Sequence, residues 1–409
     1  MNPDGSPQHT TSTTWRSRNV WGFSLASLFS DMGHELVTTV LPAFLLTIGA
    51  PVFALAVIEG VSNFSQSLAS LWGGKWADNR KSRERIVVAG YVMTGIKAVI
   101  ALVTYWPWIV VLRTVAWIGR GARGPIRDTM IADEISPENR GKAYGFRETF
   151  DTAGAIVGPL AATLLITVIS PGTLIALSAI PAIITVVIIA GMVREIRGPV
   201  LDKNPAPGAG PGEVQTVWSR SYRVFRGGVV IFWFGAISPT FFIMRILLTH
   251  PRGLAFPLQA FAFGLYTIHN IFYAASSYPA GILADHGRAK GATLSGYGMW
   301  VLSLVGFFAL PFLPIWLWPL LFIFSGLATG LIETGQKTLA VGLLPPVMRG
   351  KGLGQIAGMK GFSQLAGTLL MGGLWTLHRP GLGFLCLALA ALAGWLIIWA
   401  VPSMPKPVS

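Results

Sequence analysis

The chain has 409 residues, of which 52% are hydrophobic and only 12% charged, and its mean hydropathy is +0.59. A soluble domain of this size carries roughly twice that charged fraction, so the composition excludes an ordinary globular protein and reads as a polytopic helical membrane protein. The net charge of +14 does not point to nucleic acid, because most of the 31 Lys and Arg fall in the termini and in every second loop, against Arg252 and Arg379 in the opposite set. That asymmetry is the positive-inside pattern and places both termini in the cytoplasm, with the lipid bilayer, not DNA or RNA, as the large partner. Cys386 is the single cysteine, so neither an intramolecular disulfide nor a thiolate metal cluster can form.

In chain order, residues 1–19 lack the charged-then-apolar order of a signal peptide and are expected to form a cytoplasmic tail. Apolar periodicity then predicts twelve spans, six near 20–46, 53–77, 86–105, 107–131, 143–169 and 172–192, and six near 227–248, 256–283, 291–311, 315–343, 353–377 and 381–402. A Pro-, Gly- and Arg-rich stretch over 193–226 separates an N-terminal bundle (20–192) from a C-terminal bundle (227–402), and 403–409 is a second tail. Many of the 15 Trp, such as Trp106, Trp108, Trp316 and Trp318, sit near span ends, as an interfacial aromatic belt requires. The expected fold is therefore all-α, with two six-helix bundles.

The halves repeat one plan. SPENRGKAYG (Ser136 to Gly145) aligns with PPVMRGKGLG (Pro345 to Gly354), 209 residues further on. Gly74, Ala77 and Asp78 of the loop between spans 2 and 3 recur as Gly281, Ala284 and Asp285, 207 residues on, again followed by basic residues. Independent segments repeating at nearly one spacing indicate internal duplication, a hallmark of transporter folds.

Ionisable groups inside spans cost several kcal/mol unless paired or hydrated, so each is a functional candidate. Span 1 carries Ser24, Ser27, Asp31, His34, Glu35 and Thr38 at spacings that put them on one face, and span 2 repeats the pattern with Glu59, Asn63, Gln66 and Ser70. Span 8 shows a stripe of Tyr266, His269, Asn270, Tyr273 and Ser277. Asp31 and Glu35 are the best proton carriers, with His34 able to share the proton or bind substrate; the alternative is a structural ion pair with Arg113 or Arg245. Repeat correspondence relates Asp151 to Lys360 and Asp128 to Lys337, and suggests a charge cluster of Glu148, Asp151 and Lys360 between spans 5 and 11, as gate or fixed pair. Glu333 and Lys337 stand at a spacing that permits an i,i+4 pair.

Together these motifs make the whole chain resemble the major facilitator superfamily. Gly74, Ala77 and Asp78 match that family's loop 2–3 signature and Arg83 keeps its final basic charge, whereas Trp76, Asn79, Lys81 and Ser82 depart from it. The resemblance implies that Asp78, Arg83 and Asp285 act as conformational latches. Leu-Phe-Ser-Asp in span 1 and the exit of span 4 (Arg120, Arg123, Arg127, Asp128) resemble a bacterial exporter-like branch. Gly145, Gly154, Gly158 and Pro159 resemble the family's antiporter signature, with Ala162-Thr163 replacing its terminal Gly pair; such residues also serve plain helix packing. Arg113 resembles the family's span 4 Arg, associated with proton coupling. In that family spans 1, 4, 7 and 10 line a central cavity, with faces of 2, 5, 8 and 11 contributing.

The resulting expectation is a monomeric secondary transporter exporting a small solute by proton antiport across the cytoplasmic membrane, with no cofactor beyond the proton gradient. Asp31, Glu35 and Arg113 carry the coupling. His34, Glu59, Trp233, Arg245, Tyr266, His269, Asn270, Tyr273 and Glu333 bind solute. Arg120, Arg123, Arg127, Asp128, Glu148, Asp151, Lys337 and Lys360 form gates. An alternative is export of a divalent transition metal ligated by Asp31, His34, Glu35 and His269. A membrane-embedded lipid enzyme is the remaining class, opposed by the repeat and by the lack of a Gly-x-Ser-x-Gly or His-Glu-x-x-His motif.

Overall fold

The computed structural model describes residues 15–76, 83–194, 219–249, 257–345 and 348–401, among which there is no β-strand. Twelve helical spans account for nearly all of them. Spans 1 to 6 cover Arg18–Thr47, Val52–Trp76, Arg83–Leu102, Trp106–Glu134, Arg140–Leu165 and Pro171–Met192. Spans 7 to 12 cover Arg220–Thr249, Leu258–Leu283, His286–Phe312, Trp318–Gly342, Arg349–Thr376 and Pro380–Trp399.

Local chemistry sets the starts. Spans 4, 6, 10 and 12 each carry Pro in the first turn, where its missing N–H costs nothing and its fixed φ suits the helix. Span 1 is capped by Ser17, whose Oγ accepts from the Val20 N–H at 3.2 Å. Span 7 begins at Arg220, earlier than its apolar run predicts, because Ser219 caps it by accepting from the Tyr222 N–H at 3.1 Å. Arg220, Arg223 and Arg226 thus extend a helix that hydropathy alone truncates.

Seven spans are long and apolar enough to cross a membrane by length and composition alone. The five that fall short are spans 1, 4, 5, 8 and 11, among them spans 1 and 8, which carry polar stripes in the sequence. Side chains such as Leu102, Val168 and Phe312 lie at the surface, 83%, 74% and 86% exposed, as a lipid-facing wall requires.

Span 1 packs on span 5 and span 2 on span 4; span 7 packs on spans 11 and 12, and span 10 on spans 8 and 9. The halves meet along two seams, span 2 against span 11 and span 5 against span 8. Close crossings depend on absent side chains. A Cβ on Gly154 or Gly158 of span 5 would run into the backbone of span 1 at Leu28 and Met32. In the second half Gly367, 209 residues after Gly158, meets the Phe234 carbonyl of span 7 in the same way. The repeat is therefore a repeat of helix contacts as well as of letters.

The two ends of the molecule differ. Away from the loop between spans 2 and 3, one apolar core runs through both halves, joining Leu41, Phe44 and Leu45 of span 1 to Ile243, Ile246 and Leu247 of span 7 and Phe263 of span 8. The rings of Phe242 and Phe307 stack there at 4.1 Å, each such pair contributing about 0.5–1.5 kcal/mol beyond its buried area. At the loop 2–3 end, called here the basic end, a separate core (Val20, Phe23, Val87, Tyr91, Ile126, Ile189) belongs to the N-terminal half alone.

Candidate functional site: a central cavity between the halves

Span 7 is interrupted where it meets the centre. Its first part ends at Gly235 and its second starts at Thr240, with Pro239 removing a donor and Ser238 bonding locally through the Thr240 hydroxyl at 2.9 Å. Ala236, Ile237, Ser238 and Pro239 line a cavity of about 450 Å³ between the halves. Trp300 of span 9 donates to the Gly235 carbonyl freed by the break, at 3.2 Å. Irregular backbone is tolerated at such depth where it borders a cavity.

On the N-terminal side the cavity is built from spans 1, 2 and 4. Arg113 is fully buried; its Nη2 donates to Glu59 Oε1 at 2.9 Å and to Thr38 Oγ1 at 3.1 Å. Its guanidinium carbon lies 3.9 Å from the centre of the Trp117 ring, one helical turn further on. Trp117 is held in turn by donating to Asn63 Oδ1 at 2.9 Å, and the His34 ring lies 4.2 Å from it. Glu35 has a different partner. Its Oε2 accepts from the Tyr266 hydroxyl, across the interface in span 8, at 2.8 Å, and its Oε1 lies 3.8 Å from His34 Nε2.

The C-terminal side is aromatic. Trp233 donates to Gln336 Oε1 at 3.0 Å, which fixes its ring, and Lys360 Nζ sits 3.4 Å from the centre of that ring. Tyr273 donates to Glu333 Oε2 at 2.7 Å, and His269 Nδ1 is within 2.8 Å of Ser325 Oγ.

A second cavity of about 470 Å³ lies toward the basic end and shares Gln66 and Ser70 with the first. Arg120, Arg123 and Arg127, three and four residues apart, face span 1 from span 4. Arg120 forms a two-pronged pair with Asp31, its Nη2 to Oδ2 bond measuring 3.0 Å. Arg123 donates to Ser30 Oγ at 2.8 Å and lies 3.8 Å over the Tyr91 ring, and Arg127 reaches Ser27 at 3.4 Å and Asp128 at 3.1 Å. Arg147 pairs with Glu148 and, at 3.5 Å, with Asp151. The Asp128 and Glu148 side chains are 48% and 55% exposed, so this second cavity opens outward at the basic end.

The structure thus brings His34, Glu35, Glu59, Arg113, Trp233, Tyr266, His269, Asn270, Tyr273 and Glu333 to one cavity. Several sequence expectations are corrected. Arg245 does not line it, since it lies in the outer part of span 7 beyond the break. Asp31 pairs with Arg120 rather than with Arg113 or Arg245, and lines the second cavity. The expected cluster of Glu148, Asp151 and Lys360 does not form: span 5 packs on spans 1 and 8, not on span 11, and Lys360 joins the central cavity. Glu333 is held by Tyr273 instead of Lys337, which is exposed. Asp31, His34, Glu35 and His269 do not converge on a metal, because Asp31 is taken by Arg120 and His269 turns to Ser325. Of the latch residues, Asp78 and the Asp285 side chain lie outside the described residues, and Arg83 pairs with Asp133 at 2.7 Å.

Sequence reasoning missed Trp117, Trp300 and Lys97. Trp117 stands four residues from Arg113 on the same face, a signal that was there to use. Lys97 of span 3 is 1% exposed and its Nζ lies 3.4 Å from the Ser30 carbonyl; one lysine in an apolar run looks like an interfacial residue until the helix is placed.

A sequence model described as Major Facilitator Superfamily matches residues 23–251, more than half of the chain. The chain belongs to the major facilitator superfamily. An uncharacterized MFS-type transporter of Methanocaldococcus jannaschii is 26% identical over 404 residues, spanning 94% of this chain and 95% of the relative. Among solved structures, the nucleoside transporter NupG superposes with a TM-score of 0.73 at 14% identity, covering 94% of this chain and 98% of that one. A D-xylose-proton symporter does so with a TM-score of 0.72 at 15% identity, covering 95% and 98%. At such identities these structures share the superfamily fold with this chain, a multi-pass membrane architecture.

Proposed function

We propose that this superfamily member is a secondary active transporter that couples proton binding at Glu35 to movement of a small solute through the central cavity by alternating access. One observation carries the reading. The Glu35 to Tyr266 bond joins span 1 to span 8 across the cavity, so the charge state of one carboxylate bears directly on how the halves are held together. A carboxylate accepts strongly from a phenol; once protonated it loses its charge and a lone pair, and the cross-half bond weakens. Among the described residues only one other side-chain hydrogen bond crosses between the halves, a 3.4 Å contact between the Thr163 and Thr267 hydroxyls.

The remaining groups fit supporting roles. Arg113 and Glu59 form a fixed pair beside Glu35, so that Glu35 lacks a cation of its own. The Arg120–Asp31 pair lines the second cavity, which adjoins the first at Gln66 and Ser70. The shape fits a state open at the basic end, which the positive-inside pattern makes the cytoplasmic one.

Proteoliposomes containing an internal pH dye test this reading. A panel of nucleosides, sugars, organic acids and organic cations is added to wild-type protein and to Glu35→Gln. Substrate-dependent proton movement is expected in wild type, with its sign giving symport or the antiport that the glycine signature suggests. It is expected to fall at least about tenfold in Glu35→Gln, the order of loss that follows from removing a proton-transfer group. Unchanged proton movement in the variant removes Glu35 as the coupling site.

A further inference from the structure

Every carboxylate lining the central cavity has a donor, but its ammonium has no acceptor. Glu59 is bonded by Arg113, Glu333 by Tyr273 and Glu35 by Tyr266. Lys360 has no carboxylate within 4 Å among the described residues and no hydrogen-bond acceptor; its direct contact is the face of Trp233, and the Glu333 charge acts on it only from beyond ion-pair distance. An unpaired charge at this depth is costly, and a bound anion is the direct remedy.

The walls add a second constraint. Trp233 is locked by Gln336, and the break in span 7 exposes its neighbours Ala236 and Ile237 to the cavity. Trp117 is held by Asn63 of its own, N-terminal half, and its ring is already covered by Arg113 at 3.9 Å and His34 at 4.2 Å. The immobilised Trp233 indole on a cavity of about 450 Å³ favours a flat ligand body, as ring stacking and apolar burial both scale with planar contact.

We infer that the solute is a small planar organic acid, an aromatic or similarly flat carboxylate, whose carboxylate docks on Lys360 while its ring lies along Trp233. This inference rests on the transporter reading for its meaning but can be tested without transport. Lys360 then serves as a substrate-binding residue on span 11, not as the gate that the repeat correspondence suggests. A carboxylate on Lys360 exchanges a cation–π contact for a charge-assisted hydrogen bond, which is the stronger of the two.

The test is equilibrium dialysis with the full chain in nanodiscs of uncharged lipid, using 2-naphthoate and 2-naphthylmethylammonium as probes of equal ring and opposite charge. Protein-dependent retention of the naphthoate is expected, at least about tenfold above the ammonium, because one desolvated charge pair discriminates at that level. Lys360→Gln should lose about tenfold in naphthoate affinity, Lys360→Arg should keep it, and Lys142→Gln on the exposed face of span 5 should match wild type. Unchanged size-exclusion elution of Lys360→Gln separates loss of the docking charge from misfolding. Preference for the ammonium, retention of neither probe, or naphthoate binding indifferent to Lys360→Gln each overturns the inference. Naphthoate binding without proton-coupled flux of the same compound leaves the inference standing and removes the transport reading. Proton-coupled flux with no anion preference does the reverse.

Discussion

Arg113 is fully buried, and its charge is answered by Glu59, itself 2% exposed. Removing one member of such a pair leaves the other uncompensated at about 3–5 kcal/mol, whereas removing both costs much less. Glu59→Gln is therefore expected to lower the thermal unfolding midpoint in detergent sharply, and Glu59→Gln/Arg113→Met to recover most of it. Equal loss in the single and double variants would mean that the pair is not the source of the effect. Tyr266→Phe deletes the donor to Glu35 and no packing volume beyond one oxygen. It should leave folding intact and alter proton coupling; an unchanged coupling ratio in proteoliposomes would contradict the cross-half bond. At this scale the sequence displayed the right residues with the wrong partners. Spacing on span 1 put Asp31, His34, Glu35 and Thr38 on one face, yet Arg113 and Arg120 stand two turns apart on one face of span 4. Only the depths at which span 4 meets spans 1 and 2 assign Arg120 to Asp31 and Arg113 to Glu59.

Elements were more legible than residues, and the glycine signature of span 5 shows why. Gly154 and Gly158 sit where span 5 crosses span 1 backbone to backbone, whereas Gly145, in the same signature, has nothing within 4 Å of a built Cβ. Gly158→Val is expected to cost about 1–3 kcal/mol or more through overpacking, with poor recovery of monodisperse protein on size exclusion. Gly145→Ala is expected to match wild type in the same assay. The packing reading would fail if both variants behaved alike. The failed expectation of a Glu148, Asp151 and Lys360 cluster has a geometric cause. Repeat correspondence maps a position onto its twin in the other half, and twins lie across the pseudo-symmetry axis without touching; span 5 meets span 8, while span 11 meets span 2. The break in span 7 did carry a signal, Pro239 within an Ile-Ser-Pro-Thr run, but hydropathy counts the ten residues beyond it as the same span.

For the whole molecule, one apolar core joins the two halves away from the basic end, while at that end the N-terminal half has a core of its own, with Glu35 and Tyr266 near the joint. Alternating access requires the ends to exchange these roles, with no intermediate in which both are open. Twelve spans, two halves and the basic end were readable from hydropathy, repeat spacing and charge asymmetry, because those patterns reflect the bilayer and the duplication and not side-chain detail. Which end is closed was not readable, since both arrangements use the same helices.

Cys386 is the lone native cysteine, so a Cys386→Ser background allows spin labels to be placed in pairs at repeat-related positions. Lys142→Cys with Lys351→Cys reports the basic end, and Thr167→Cys with Thr376→Cys the opposite end; all four native side chains are exposed. Distance distributions would be measured by double electron–electron resonance with Glu35 native and with Glu35→Gln, which mimics the protonated carboxyl. The account predicts that neutralising Glu35 shifts the 142/351 pair to shorter distances and the 167/376 pair to longer ones. Distributions that stay put at both ends, or that move in the same direction, would contradict it.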